Sequence, residues 1–139
     1  MFENILLAVD GSDHSLKAAK LAGDLARLSG GKLRVVTAYE EVPSYLGEPN
    51  LSQTIANRTA KAEEILDKAT KEIGEIPGDC ESEILNGDPA ETILQVVDIY
   101  NIDLVIMGTR GQGGIKSLLL GSQSHKVVST APCPVMLVR

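Results

Sequence analysis

Three glycines and a serine carry the densest chemistry in this chain. Gly108, Gly111, Gly121 and Ser122 fall in the spacing G-x2-G-x9-G-S, directly after an apolar, strand-like run over 103–107 and before a helical stretch. A glycine lets backbone approach a ligand with no Cβ in the way. A serine opening a helix sets a hydroxyl beside N–H groups that have no partner inside the helix. Such a combination suits an anion, a phosphate above others. Arg110 and Lys116 lie inside the loop, either to neutralise phosphate charge or as solvated surface charges.

Other nucleotide signatures are missing. A Walker A loop needs a lysine followed by serine or threonine after its second glycine, and a dinucleotide G-x-G-x-x-G needs glycine where Lys116 stands. A loop whose glycines only make turns remains the plain alternative. It does not explain why the segment runs from a buried strand's carboxyl end to a helix-opening serine, which is where ligands sit in doubly wound sheets. His125, one turn into that helix, comes within reach of a phosphate but reads better as a surface residue. His14 has the same plain reading. Neither belongs to a recognisable serine–histidine–carboxylate set, so no catalytic residue is assigned. Cys80 and Cys133 have no metal-type spacing, and with two scattered histidines they make no zinc set. Both read as reduced packing residues.

The elements that must position the loop follow from the hydrophobic period. Ile5-Leu-Leu-Ala-Val9 is a continuous apolar run, as in a strand buried on both faces. After Asp10-Gly-Ser12 a helix is expected with Ala18, Leu21, Ala22, Leu25 and Leu28 on one side and a stop at Gly30-Gly31. A second strand covers 33–39, and residues 40–50, with Pro43, Gly47 and Pro49, form a loop. Asn50 with Gln53 resembles a capping box opening a long helix that buries Ile55, Ala62, Ile65, Leu66, Ala69 and Ile73. The third strand, 80–85, alternates in polarity like a sheet edge. Asp88-Pro89-Ala-Glu91 caps a third helix that runs to about Tyr100, with Asn101 as its left-handed stop. A fourth strand over 103–107, a helix over 122–130 and a fifth strand over 134–138 complete nine alternating elements. Right-handed crossovers then require a single doubly wound α/β domain over 1–139, a parallel sheet with helices on both faces.

Composition sets the outer bounds. At 139 residues and 43% hydrophobic the chain can bury a real core. A net charge of −6 argues against non-specific nucleic-acid binding, which needs clustered Lys and Arg. Absence of tryptophan and few aromatics argue against a stacking platform for single strands. No run approaches the roughly 20 apolar residues of a membrane span, and Met1-Phe-Glu-Asn-Ile-Leu-Leu enters a strand without a basic leader. A cytoplasmic protein is expected.

The opening Ile5-Leu-Leu-Ala-Val-Asp10-Gly-Ser12, the Gly108-x2-Gly111-x9-Gly121-Ser122 signature and the closing Ala131-Pro-Cys-Pro-Val-Met-Leu-Val138 resemble a universal stress protein of the nucleotide-binding type, over essentially the whole chain. That resemblance implies strand order 3-2-1-4-5, a Rossmann-like (adenine nucleotide alpha hydrolase-like) fold and ATP over the carboxyl ends of the central strands, with magnesium or manganese as candidate metals and ADP or AMP as alternatives. Carried over by position, Asp10 would meet the ribose hydroxyls and Ala38 would offer backbone groups to the adenine edge. Gly108 and Gly111 would line the ribose and phosphate path, with Met107 and Arg110 also among the nucleotide-binding residues. Gly121 with Ser122 would hold the outer phosphates, and Gln123 and Ser124 are counted among the nucleotide-binding residues. Gln123 departs from the family, where many members have a small apolar residue, and altered packing is expected there. Asp10 has a structural alternative as a turn residue capping the first helix. The resemblance also implies a homodimer through the edge strand from Pro134 to Val138, whose apolar, weakly protected edge invites pairing by itself.

An ATP-binding stress or signalling protein is the leading reading of function, with at most slow hydrolysis, because Asp10 and Asp13 have no metal-motif context. A scaffold or chaperone-like partner with a vestigial pocket is the alternative. A receiver domain would want a phosphoacceptor aspartate where Asn86-Gly87 stands.

Overall fold

A computed structural model describes residues 1–109 and 121–139. Arg110, Gly111 and Lys116 therefore lie outside the described residues. The elements in chain order are β1 (Asn4–Ala8), α1 (Asp13–Ser29), β2 (Lys32–Tyr39), a 3-10 turn (Ser44–Leu46), α2 (Asn50–Ile73), β3 (Cys80–Asn86), α3 (Pro89–Ile99), β4 (Leu104–Gly108), α4 (Ser122–Thr130) and β5 (Val135–Val138). All pairings are parallel and the sheet order is β3-β2-β1-β4-β5, as the resemblance implied. The order reverses between β1 and β4, so their carboxyl ends part and open a crevice.

β1 shows why its run is continuously apolar. Ile5, Leu7 and Val9 point into one core layer, under α1 and α2, while Leu6 and Ala8 point into the other, with α3 and α4 residues. Ile5, Leu6 and Leu7 are fully buried, and burial of each such side chain contributes about 1.5–3 kcal/mol.

α1 meets the sheet by a different stripe from the one expected. Its buried residues are Ser15, Ala18, Ala19, Ala22, Gly23 and Ala26, whereas Leu21 is 38% exposed and Leu28 85% exposed. Small side chains win this face because α1 lies close against both the sheet and α2. A Cβ on Gly23 would fall 2.4 Å from the Ile73 carbonyl oxygen. Leu25 packs at the margin of the same core. The helix ends on Gly30 in the left-handed conformation (φ 72°), whose N–H donates to the Ala26 carbonyl.

α2 also departs from expectation at its start. Asn50 is the first helical residue, preceded by Pro49 without a side-chain cap. Gln53 reaches forward to Asn57 and Ser52 donates to Glu48, so no capping box forms. Ile55 is 41% exposed, because the buried stripe is confined to Ala62, Leu66, Ala69 and Ile73. α3 follows its sequence signals: the Asp88 carboxylate accepts from the Glu91 N–H, Pro89 takes the first position and Asn101 has φ 51°. Cys80 is exposed at the start of an edge strand rather than packed, while Cys133 lies against the α3–α4 core.

Candidate functional site at the carboxyl edge of the sheet

The buried polar residues among those described are Ser15, Thr37, Thr109 and Ser124, and each lies in or just past the carboxyl half of a strand or at a helix start facing it. A core that excludes polar groups elsewhere accepts them here, and three of them make side-chain hydrogen bonds. The Ser15 hydroxyl donates to the Ser12 carbonyl, and the Ser124 hydroxyl donates to the Gly108 carbonyl at 2.8 Å. Thr109 Oγ1 lies 2.8 Å from His14 Nδ1. The Thr109 carbonyl accepts from the Gly121 N–H at 2.7 Å. This network joins the start of α1, the end of β4 and the start of α4 into one rim.

Asp10 sits just past β1. One of its carboxylate oxygens accepts from the Ser12 N–H at 2.9 Å, while its own N–H reaches Ser15 Oγ at 3.4 Å. The Asp10 side chain thus braces the turn, and Ser12 is the residue that caps α1 by accepting from the Ser15 N–H. Asp10 also lines a cavity of about 300 Å³, together with Thr37, Ala38, Tyr39, Glu40, Arg58 and Ile65. Ala38 and Asp10 therefore meet in one space.

Ala38 offers its peptide groups there for a geometric reason. Peptide groups on a strand alternate sides. Val36 accepts from Val9, on the β1 side, and Ala38 two residues later faces the same way. The β1 register ends at Ala8 opposite Val36, so no β1 residue stands opposite Ala38. A flat ligand edge can take that place.

The other end of the rim is the amino terminus of α4. Gly121 is its N-cap and supplies no side-chain acceptor to the first-turn N–H groups. α1 and α3 fill the corresponding position with Ser12 and Asp88. Helix N–H groups left without a cap are ready donors to an anion.

The remaining expected site residues divide by what their side chains touch. Gly108 is glycine because a Cβ would lie 2.8 Å from His14 Cβ, so its missing side chain serves the packing of α1 on β4. Met107 is 7% exposed within the α3–α4 core, and Ser124 is 5% exposed with its hydroxyl on Gly108. Both can offer backbone only. Ser122 is exposed at the first position of α4. Gln123 turns away from the rim: its Oε1 accepts from the Ala90 N–H and its Nε2 donates to Asp88, tying α4 to α3. His125 is exposed. His14, read from sequence as a surface residue without a role, is instead half-buried and braces Thr109.

Sequence reasoning did not find the α2 wall of the cavity, made by Arg58, Lys61, Ala62 and Ile65. A signal was available, since Arg58 precedes Ala62 by four residues and Ile65 by seven and so shares their face. A second cavity of about 230 Å³ lies at the opposite edge, around Arg34 and Tyr100. There the Arg34 guanidinium is 3.5 Å from the Tyr100 ring centroid and pairs with Glu81 and Glu83, so its charge is already answered. Among the described residues no group of three or more His, Cys, Asp or Glu could hold a metal, and no helix is long and apolar enough to cross a membrane.

A doubly wound parallel sheet, with a cavity and an uncapped helix start along its carboxyl edge, defines a class of α/β domains built to hold ligands over the strand ends. The universal stress protein family profile matches residues 1–139, and the chain belongs to that family. A Thermus aquaticus relative, the universal stress protein in QAH/OAS sulfhydrylase 3'region, is 50% identical over 139 residues, covering all of both chains. The structure is similar to UspA from Lactobacillus plantarum, at TM-score 0.87 and 26% identity over 99% of this chain and 98% of that one. It is also similar to a universal stress protein in complex with cAMP, at TM-score 0.73 and 27% identity over 99% and 97% of the two chains.

Proposed function

We propose that this chain binds an adenine nucleotide, ATP in the first instance, and acts in the cytoplasm as a nucleotide-dependent stress-response protein. The observation that carries this reading is the rim itself: an open strand edge at Ala38 beside Asp10 for the nucleoside, and an uncapped α4 at Gly121–Ser122 for phosphate. The similar protein bound to cAMP supports an adenine nucleotide as the ligand class. In this reading the Ala38 N–H and C=O take the adenine edge, and the Asp10 carboxylate accepts from the ribose hydroxyls. The first-turn N–H groups of α4 hold the outer phosphates, with Gly108, Arg110 and Gly111 along the path between. ATP would supply a phosphoryl group when bound. Asp10 braces a turn and Asp13 is exposed on α1, so neither is set to position an attacking water. Hydrolysis is accordingly slow.

Calorimetric titration of ATP, with and without magnesium, into wild type and the Gly121→Asp/Ser122→Asp variant tests the site. Wild type is expected to bind saturably and the variant not at all, since added carboxylates repel phosphate at the helix start. A folded wild type that binds no nucleotide overturns the reading. Turnover is expected below the ~1 s⁻¹ of ordinary enzymes.

The reading includes a homodimer through β5. β5 is a sheet edge. Val138 and Pro134 turn their carbonyls to β4, so Val135 and Leu137 direct their peptide groups outward. Leu137→Pro removes an outward N–H while keeping the β4 ladder. Sedimentation should then show wild type as a dimer and the variant as a monomer; a monomeric wild type removes this part of the proposal.

A further inference from the structure

We propose that Arg58 is a positioning residue that closes the base end of the nucleotide cavity, its guanidinium plane lying over a purine that rests on Ala62 and Ile65. The inference deepens the adenine-nucleotide reading and rests on it. Three observations lead to it. Arg58 lines the cavity together with Ala38, Ala62 and Ile65, so a planar cation stands beside the apolar surface that a base would occupy. It is held in place: Nη1 donates to the Glu40 carbonyl at 2.6 Å, joining the third turn of α2 to the segment just after β2 across 18 residues. Glu40 follows Ala38 by two residues, so this bond fixes the strand end whose peptide groups would read the base.

The chemistry fits one role better than another. A guanidinium is flat, weakly hydrated and able to stack on a π-face while its N–H groups bond in its own plane. One N–H anchors on Glu40 and the plane remains to cover a ring. Lys61, one turn nearer the exposed side of the same wall, carries equal charge but no plane and no anchor of this kind. If charge alone mattered, the two would be equivalent and lysine could replace Arg58.

Surface-biosensor kinetics with ATP on wild type, Arg58→Ala, Arg58→Lys and Lys61→Ala protein separate these roles. Arg58→Ala is expected to weaken ATP about tenfold, the scale of one desolvated cation–π contact. The loss should appear as faster dissociation at unchanged association, because a cover acts on residence rather than on encounter. Arg58→Lys should resemble Arg58→Ala, and Lys61→Ala should stay within about twofold of wild type. Rescue by Arg58→Lys, an equal loss in Lys61→Ala, or a loss confined to association would make Arg58 a steering charge and overturn the proposal. So would unchanged binding by Arg58→Ala. If wild type itself binds no ATP, the adenine-nucleotide reading fails and this inference with it, whereas a binding wild type with an indifferent Arg58 sinks the inference alone.

Discussion

Ser124 and Gly108 are 16 residues apart in sequence and joined by one buried hydrogen bond, from the Ser124 hydroxyl to the Gly108 carbonyl at 2.8 Å. This bond sets the start of α4 against the end of β4, the two elements that residues 110–120 join in sequence. Ser124→Ala leaves a buried carbonyl without that donor, a change that costs about 1–3 kcal/mol. Thermal unfolding should show a melting temperature lower by roughly 3–10 °C. An unchanged melting temperature would mean that α4 is held by its apolar contacts alone.

Gly23 marks another close approach, of α1 to the end of α2. In an exposed helix, glycine to alanine stabilises by about 1 kcal/mol. Here the new methyl would enter the Ile73 carbonyl at 2.4 Å, and overpacking of that kind costs about 1–3 kcal/mol. Gly23→Ala should therefore lower stability in urea denaturation. A stabilised variant would show that α2 can move away freely.

Asp88 predicts a pH dependence. Its carboxyl is held below the usual value of 3.8, first by the Glu91 N–H, then by the Gln123 amide and by Lys126. A depressed carboxylate stabilises the fold above its unfolded pKa, and that contribution disappears as pH falls through the folded value. Asp88→Asn keeps a capping oxygen but removes the charge. The difference in melting temperature between wild type and Asp88→Asn should be constant from about pH 5 to 8 and shrink below about pH 4. A difference that persists undiminished in acid would assign the effect to cap geometry, not charge.

Arg34 tests planarity at the opposite edge of the sheet. Its side chain is 17% exposed, stacked on Tyr100 and paired with Glu81 and Glu83. Arg34→Lys preserves the charge but loses the fork and the stack, with an expected cost of about 1 kcal/mol. A double-mutant cycle with Tyr100→Leu should find the two changes coupled. Strict additivity would remove the stacking contribution.

The strand and helix alternation was legible because each element carries its own period and its own stops: a two-faced apolar run in β1, Gly30 after α1, Asp88-Pro89 before α3. The location of the candidate site can be read for the same local reason, since Gly108, Gly121 and Ser122 bracket a strand end and a helix start. Faces were less so. Leu21 and Leu28 have the greater hydrophobicity on α1, yet the alanines and Gly23 are buried, because the gap between sheet and α2 admits only small side chains. Asn50 looked like a cap, and the preceding turn supplied Pro49 in its place.

By itself, the sequence determined the order of elements, the family and the end of the sheet that carries the candidate site. These are properties of short windows, in which spacing and residue type already limit the backbone. Tertiary structure alone decided that Arg58 joins Asp10 and Ala38 around one cavity, that His14 braces Thr109, and that Gln123 serves α3 rather than the rim. Those pairings span tens of residues or more. They depend on how closely helices settle on the sheet, a distance set by the sum of many packed side chains and not by any one local pattern.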